Sequence, residues 1–224
     1  LAGMPSREPW RSIDTTHELA VFDLTFADTG EKGLLLATEE GIFHLDLTEN
    51  NLTPLEIPEH EGKVNAVFYD PITALLLAAT DKGIYRSENS GQTWSRKVEG
   101  LSDGPIHALE KSGQRLFSGT RDGLFFSDDG GERWSRSEGV YPMDIIAIQA
   151  NPRASNQIFA TDSVSGHLFY TGNGGHEWEV IQRGLHSSRI AALGFNASGE
   201  LLAGTISDGI YLIEPPAQSS AEGR

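Results

Sequence analysis

Three tryptophans, Trp94, Trp134 and Trp178, stand 40 and 44 residues apart, and each closes the same eight-residue box. The copies read SENSGQTW (87–94), SDDGGERW (127–134) and TGNGGHEW (171–178), or Ser/Thr-x-Asp/Asn-x-Gly-x-x-Trp. Each follows a short apolar-aromatic run such as GIYR or GLFF. A chain that repeats itself is restricted to one supersecondary unit used many times. A period of about 40–45 residues suits a four-stranded propeller blade.

Two further copies, TEEGIFHLDL (38–47) and TISDGIYLIEPP (205–216), keep the Gly-Ile-aromatic strand but lack the box. The aligned strand starts are Gly41, Gly83, Gly123, His167 and Gly209, which makes five units. Upstream of each lie two apolar runs, for example VNAVFYD (64–70) and LLLAAT (75–80). Short β-rich runs separated by Gly, Asn and Asp turns predict antiparallel strands. The chain is therefore expected to be all-β: one five-bladed β-propeller of four-stranded antiparallel blades over residues 1–216. The blades fall at 20–58, 64–100, 106–140, 144–184 and 189–216, with 217–224 left as a flexible C-terminal tail.

The fifth unit lacks a fourth strand. PWRSI (9–13) resembles TWSRK and RWSRS, so Trp10–Ile13 is expected to pair beside Gly209–Ile213 and close the ring. Closure of that kind removes two exposed sheet edges, and a monomer is expected.

The box invites a chemical reading because of its adjacent acids, Asp128 and Asp129. The repeat argues against it. The third position is Asn89, Asp129 and Asn173 in turn. Asn keeps the acceptor oxygen and loses the charge, which a turn tolerates and a metal site or catalytic carboxylate does not. Glycine at the fifth position supplies a positive φ. The tryptophan fills the space beneath, with an indole N–H to donate. Asp128 faces Glu88 and Gly172 in the other copies and reads as solvated charge.

The three boxes, Ser87–Asn89–Gly91–Trp94, Ser127–Asp129–Gly131–Trp134 and Thr171–Asn173–Gly175–Trp178, resemble the Asp-box, or BNR, repeat. Similar boxes occur in sialidases, xyloglucanase-like glycosidases, sortilin-type domains and photosystem II assembly-factor-like proteins. The resemblance implies a structural hairpin between the third and fourth strands of a blade, away from the functional channel. The early Phe/Tyr-Arg-Ile-Pro motif of sialidases is absent, which argues against sialidase activity.

Composition narrows the partners. The formal net charge is -15 and the pI about 4.8, so nucleic acid and anionic membrane are both repelled. No cysteine is present, which excludes disulfide and thiolate chemistry. No apolar run reaches the roughly 18 residues of a membrane span. No signal peptide is visible in this chain, and the compartment stays open.

Function is expected at the channel mouth, built by the start of each innermost strand. One aligned position holds Ala20, Lys63, Pro105, Asp144 and Arg189. Two residues on stand Phe22, Asn65, His107, Ile146 and Ala191. The preceding loops bring His17, His60, Ser102, Tyr141 and His186. The candidate ligand-binding residues are His17, His60, Lys63, Asn65, His107, Tyr141, Asp144, His186 and Arg189. A metal on His17, His60 and His186 is the weaker reading and is not adopted, and no cofactor is expected. With no catalytic motif kept, the expectation is a binding or assembly scaffold for a protein or a small polar ligand. The alternative is a carbohydrate-active protein, either a lectin or a glycoside hydrolase.

Overall fold

The structure is a computed structural model. It describes residues 19–28, 32–58, 60, 62–102, 104–140, 143–181 and 189–213. It is an all-β, five-bladed propeller. Blade 1 comprises β1 (Val21–Asp28), β2 (Lys32–Thr38), β3 (Gly41–Asp46) and β4 (Asn51–Leu55). Blade 2 comprises β5 (Val64–Asp70), β6 (Leu75–Thr80), β7 (Gly83–Ser87) and β8 (Ser95–Lys97). Blade 3 comprises β9 (Ile106–Ser112), β10 (Arg115–Thr120), β11 (Gly123–Ser127) and β12 (Ser135–Arg136). Blade 4 comprises β13 (Ile145–Asn151), β14 (Ala154–Asp162), β15 (Leu168–Thr171) and β16 (Glu179–Ile181). Blade 5 comprises β17 (Ile190–Phe195), β18 (Leu201–Thr205) and β19 (Ile210–Ile213), three strands among the described residues. The closing strand expected at 9–13 and the tail at 217–224 lie outside the described residues.

Within each blade the strands pair in sequence order, all antiparallel. The turn from second to third strand is set by a Thr-x-x-Gly motif. The hydroxyls of Thr38, Thr80 and Thr120 donate to the carbonyls of Gly41, Gly83 and Gly123 at 2.9–3.0 Å. The same hydroxyls accept the amides of Glu40, Lys82 and Asp122. Blade 4 replaces the threonine with the buried Asp162, whose carboxylate takes the amides of Val164, Ser165 and His167 and so shapes a longer turn.

The core lies between blades, because the sheets of blades 2, 3 and 4 bury both faces. Leu35, Ala37 and Ile42 of blade 1 pack on Val67, Tyr69 and Leu76 of blade 2. Leu77 and Ile84 meet Leu116 and Phe125, Phe117 and Leu124 meet Ile148 and Phe169, and Phe159 and Leu168 meet Ile190 and Leu201. Alternate residues of one strand thus belong to two different clusters, which explains the near-continuous apolar runs in the sequence.

The three boxes form one hairpin each, between β7 and β8, β11 and β12, and β15 and β16. In blade 3, Asp129 Oδ1 accepts the Ser127 hydroxyl at 2.8 Å and the amides of Glu132 and Arg133 at 3.1 and 3.0 Å. Asn89 and Asn173 accept the matching Ser/Thr hydroxyl and the amides of Thr93 and Glu177 with the same oxygen. Burial works against the Asp129 charge, but the amides of Arg133 and Glu132 and the Ser127 hydroxyl outweigh it and hold the carboxyl below its ordinary range. Gly91, Gly131 and Gly175 sit at φ 87°, 85° and 86°, where a side chain is strained. Because the clasp uses one oxygen that Asn also carries, Asp129→Asn should change stability by no more than about 0.5 kcal/mol in urea unfolding. A loss above about 2 kcal/mol would contradict the turn reading.

Two expectations need correction. The indole N–H groups of Trp94, Trp134 and Trp178 find no acceptor among the described residues, so the rings act by shape and apolar contact. Asp128 is more than solvated charge: its two oxygens take Arg115 Nε and Nη2 at 2.7 and 3.0 Å. Arg115 also donates to the carbonyl of Gly174 in the next box, as Arg86 does to that of Gly130. Each of these boxes is thereby tied to the preceding blade.

Candidate functional site: the loop face and the channel

Antiparallel order separates the two ends of the molecule. The boxes share one end with the turns from first to second strand. The opposite, loop face carries the turns from second to third strand and the connections between blades.

At the loop face every innermost strand carries a β-bulge at one repeat position. The register skips Phe22, Asn65, His107, Ile146 and Ala191. A bulge re-aims its side chain out of the ladder. At Phe22, Asn65 and His107 the re-aimed side chain meets the next blade. Lys63 Nζ lies 4.2 Å from the centre of the Phe22 ring. Asn65 donates to Asp81 Oδ1 and to the carbonyl of Ile106, both at 2.9 Å. His107 Nε2 stands 2.8 Å from Asp144 Oδ1, an ion-pair contact when the ring is protonated. Asp144 Oδ2 accepts the Ser163 hydroxyl at 2.6 Å, and Arg189 Nη1 donates to the Ser163 carbonyl at 3.2 Å. Lys63, Asn65, His107, Asp144 and Arg189 are thus brought together as successive clasps between neighbouring blades. His17, Tyr141 and His186 lie outside the described residues.

His60 stands apart from the clasps, in a cavity of about 620 Å³ between blades 1 and 2. Pro54, Leu55, Ile57 and Pro58 line its wall, and Glu40, Glu56 and Lys82 bring charge to it. The His60 ring packs 5.1 Å from that of Tyr85. Burial lowers its pKa, so the ring is neutral at pH 7. Among the described residues no group of three or more His, Asp or Glu is placed to hold a metal.

Two acids missed in the sequence belong to the channel strands. Asp23 occupies the position of Ala66, Ala108, Ala147 and Ala192. Its Oδ2 accepts the Val67 amide of blade 2 at 3.0 Å, and Oδ1 the Leu24 amide at 2.8 Å. Burial raises its pKa despite those two donors. Glu110 lines a cavity of about 570 Å³ at the box end, with Gln149, Asn151 and Phe195. Burial pushes Glu110 up to about 7 against the amides of Lys111 and Ala150, and the charge of Asp23 adds to the rise. The aligned repeat held the signal: Asp23 is the one acid in a column of alanines.

Fold and site together define a β-propeller clasped at one mouth along the junctions from blade 1 to blade 5, with two half-buried acids, Asp23 and Glu110, on its innermost strands. No family model and no curated protein matches the chain. Solved propellers do resemble it. The GH74 xyloglucanase from Xanthomonas campestris is 16% identical, with a TM-score of 0.67 over 83% of this chain and 33% of that one. YCF48 from Cyanidioschyzon merolae is 15% identical, with a TM-score of 0.66 over 93% of this chain and 70% of that one. The extracellular domain of a one component system of B. thetaiotaomicron is 16% identical, with a TM-score of 0.72 over 92% of this chain and 28% of that one. The chain spans about a third or less of the enzyme and the sensor domain. At these identities the likeness shows the fold alone.

Proposed function

We propose that the chain is a non-enzymatic binding or assembly scaffold of the Asp-box type, taking a protein segment or a small polar ligand, glycans included, on its loop face. The observation that carries this reading is the cavity over His60. It joins an apolar proline-rich wall to an amine, two carboxylates and a neutral imidazole, the mixture that orients a polar ligand. The rim groups of blades 2–5 support it from the other side: they are engaged in clasps, and among the described residues they form no triad or carboxylate pair at that mouth.

The test is a titration with xyloglucan oligosaccharides and with peptides, followed by amide chemical shifts. Perturbations should gather at residues 54–62 and at Lys82. Lys82→Glu should weaken binding about ten- to a hundredfold, the worth of a charge-assisted hydrogen bond. Shifts confined to the channel strands would overturn the site.

Glu110 favours a second reading. A carboxylic acid still protonated near neutrality is what a glycoside hydrolase needs as its general acid. Cleavage of the oligosaccharide in the same titration, lost in Glu110→Gln, would put this reading first.

A further inference from the structure

Asp70 meets Lys111, Asp128 meets Arg115, and Glu132 meets Arg86 and Lys97. Glu110, half-buried on β9, meets no cation among the described residues. Its carboxyl accepts neutral donors instead: the Lys111 amide at 3.0 Å and Gln149 Nε2 at 3.4 Å. The charge that does act on it, Asp23 of β1, is negative. Glu110 also lines the cavity of about 570 Å³ at the box end. Phe195 and Pro152 give that cavity apolar wall. Asn151 turns its amide onto Gln157 and the Arg153 amide, so Glu110 and Gln149 are the polar pair that the cavity presents.

We propose that this cavity binds a small organic ammonium ion, with Glu110 as its counterion and Phe195 as the surface for its alkyl groups. The site lies at the opposite end of the molecule from the His60 cavity and does not depend on the ligand read there. Charge selects a cation, because the one acid of the wall has no cationic partner of its own. Chemistry selects an organic one. A hard metal ion takes six or more oxygens, and among the described residues no group of three acids or histidines is placed to hold a metal. An alkylammonium gains from an aromatic ring as well as from a carboxylate. The volume is within the roughly 300–1,000 Å³ of small-molecule pockets. Binding is tied to protonation. Burial, with the charge of Asp23 adding to it, raises Glu110 to about 7, so in mildly acidic solution the cation must displace a proton. Around Glu110, Lys111 of β9 and Arg115 of β10 are held by Asp70 of β5 and by Asp128. β13 and β17 bring Gln149 and Phe195, which carry no charge. With an ammonium bound, Glu110 is ionised and does not act as a general acid.

The test is a titration with choline at constant ionic strength, beside the neutral isostere in which carbon replaces the choline nitrogen. Amide shifts should gather at residues 110–113, 149–152 and 195 and leave 54–62 unmoved. Affinity should rise about tenfold per pH unit from 5 to 7 and level off above, the slope of one displaced proton. Glu110→Gln should weaken choline at least about tenfold at pH 8 and abolish the pH dependence. Phe195→Leu should weaken it about three- to tenfold, with circular dichroism confirming both folds. The pH slope is read on the wild type, so it decides even where a variant does not fold. Equal binding of the neutral isostere, a flat pH profile, or a folded Glu110→Gln variant with unchanged affinity would each overturn the inference. Choline shifts at 54–62 alone would also overturn it, and would give the cation to the loop-face cavity.

Discussion

Trp134→Ala is expected to destabilise the protein by about 3–5 kcal/mol, the cost of emptying a buried aromatic site. Trp134 is buried in the cluster that joins Leu77 of blade 2 to Leu116 and Phe125 of blade 3. Its amide donates to the Glu99 carbonyl at 3.0 Å. Gly100 lies so close that a Cβ there would fall 1.7 Å from the Trp134 carbonyl oxygen, so the surrounding chain has little room to rearrange. The loss would be a large share of the roughly 5–15 kcal/mol that holds a domain folded. Trp134→Phe should cost clearly less, because the indole N–H has no acceptor to lose among the described residues. Urea unfolding of both variants beside Asp129→Asn checks the order. A Trp134→Ala loss below about 1 kcal/mol would mean that the ring is not the peg of the hairpin.

Stability should also fall as pH rises from about 4.5 to about 7. Glu110 has an ordinary pKa of 4.5, raised to about 7 by burial. In that window the folded state holds a proton that the unfolded chain has released, so each step up in pH favours unfolding. Integrated over the interval, the effect is about 3 kcal/mol, and Asp23, raised by its own burial, adds in the same direction. Asp70, lowered chiefly by its hydrogen bond to Lys111, and Asp162, lowered by the turn amides against burial, act at the acid end. Their stabilisation is present above the ordinary carboxylate range and is lost as pH falls from that range through their lowered folded values. The maximum should therefore lie in mildly acidic solution. Glu110→Gln should flatten the fall and leave the variant more stable than wild type at pH 8. A Tm difference between the two that does not grow from pH 5 to pH 8 would refute the assignment.

Much of the fold was legible because the repeat states it five times. The innermost strand expected at 64–70 and the second strand expected at 75–80 are those observed. The fourth strand of blade 1, β4 at Asn51–Leu55, falls inside the blade expected at 20–58, but its position was not legible, because that unit has no box to mark it. The site was legible only as an alignment column. The column of Phe22, Asn65, His107, Ile146 and Ala191 could be written down from the sequence, but not the bulge that turns Phe22, Asn65 and His107 toward the next blade.

By itself the sequence determined the period, the strand order and the role of the boxes. Those depend on local turns and on alternation along a strand, which neighbouring residues encode. Only the tertiary structure decided what the polar rim residues touch, which acids lose their water, and which faces stay uncovered. Asp144 meets His107 from 37 positions away, and Glu110 loses solvent to strands that a linear reading does not place beside it. The exposed faces of blades 1 and 5, at Phe26 and Ile210, carry the same pattern as the sealed ones. Only the cover each face receives among the described residues tells them apart.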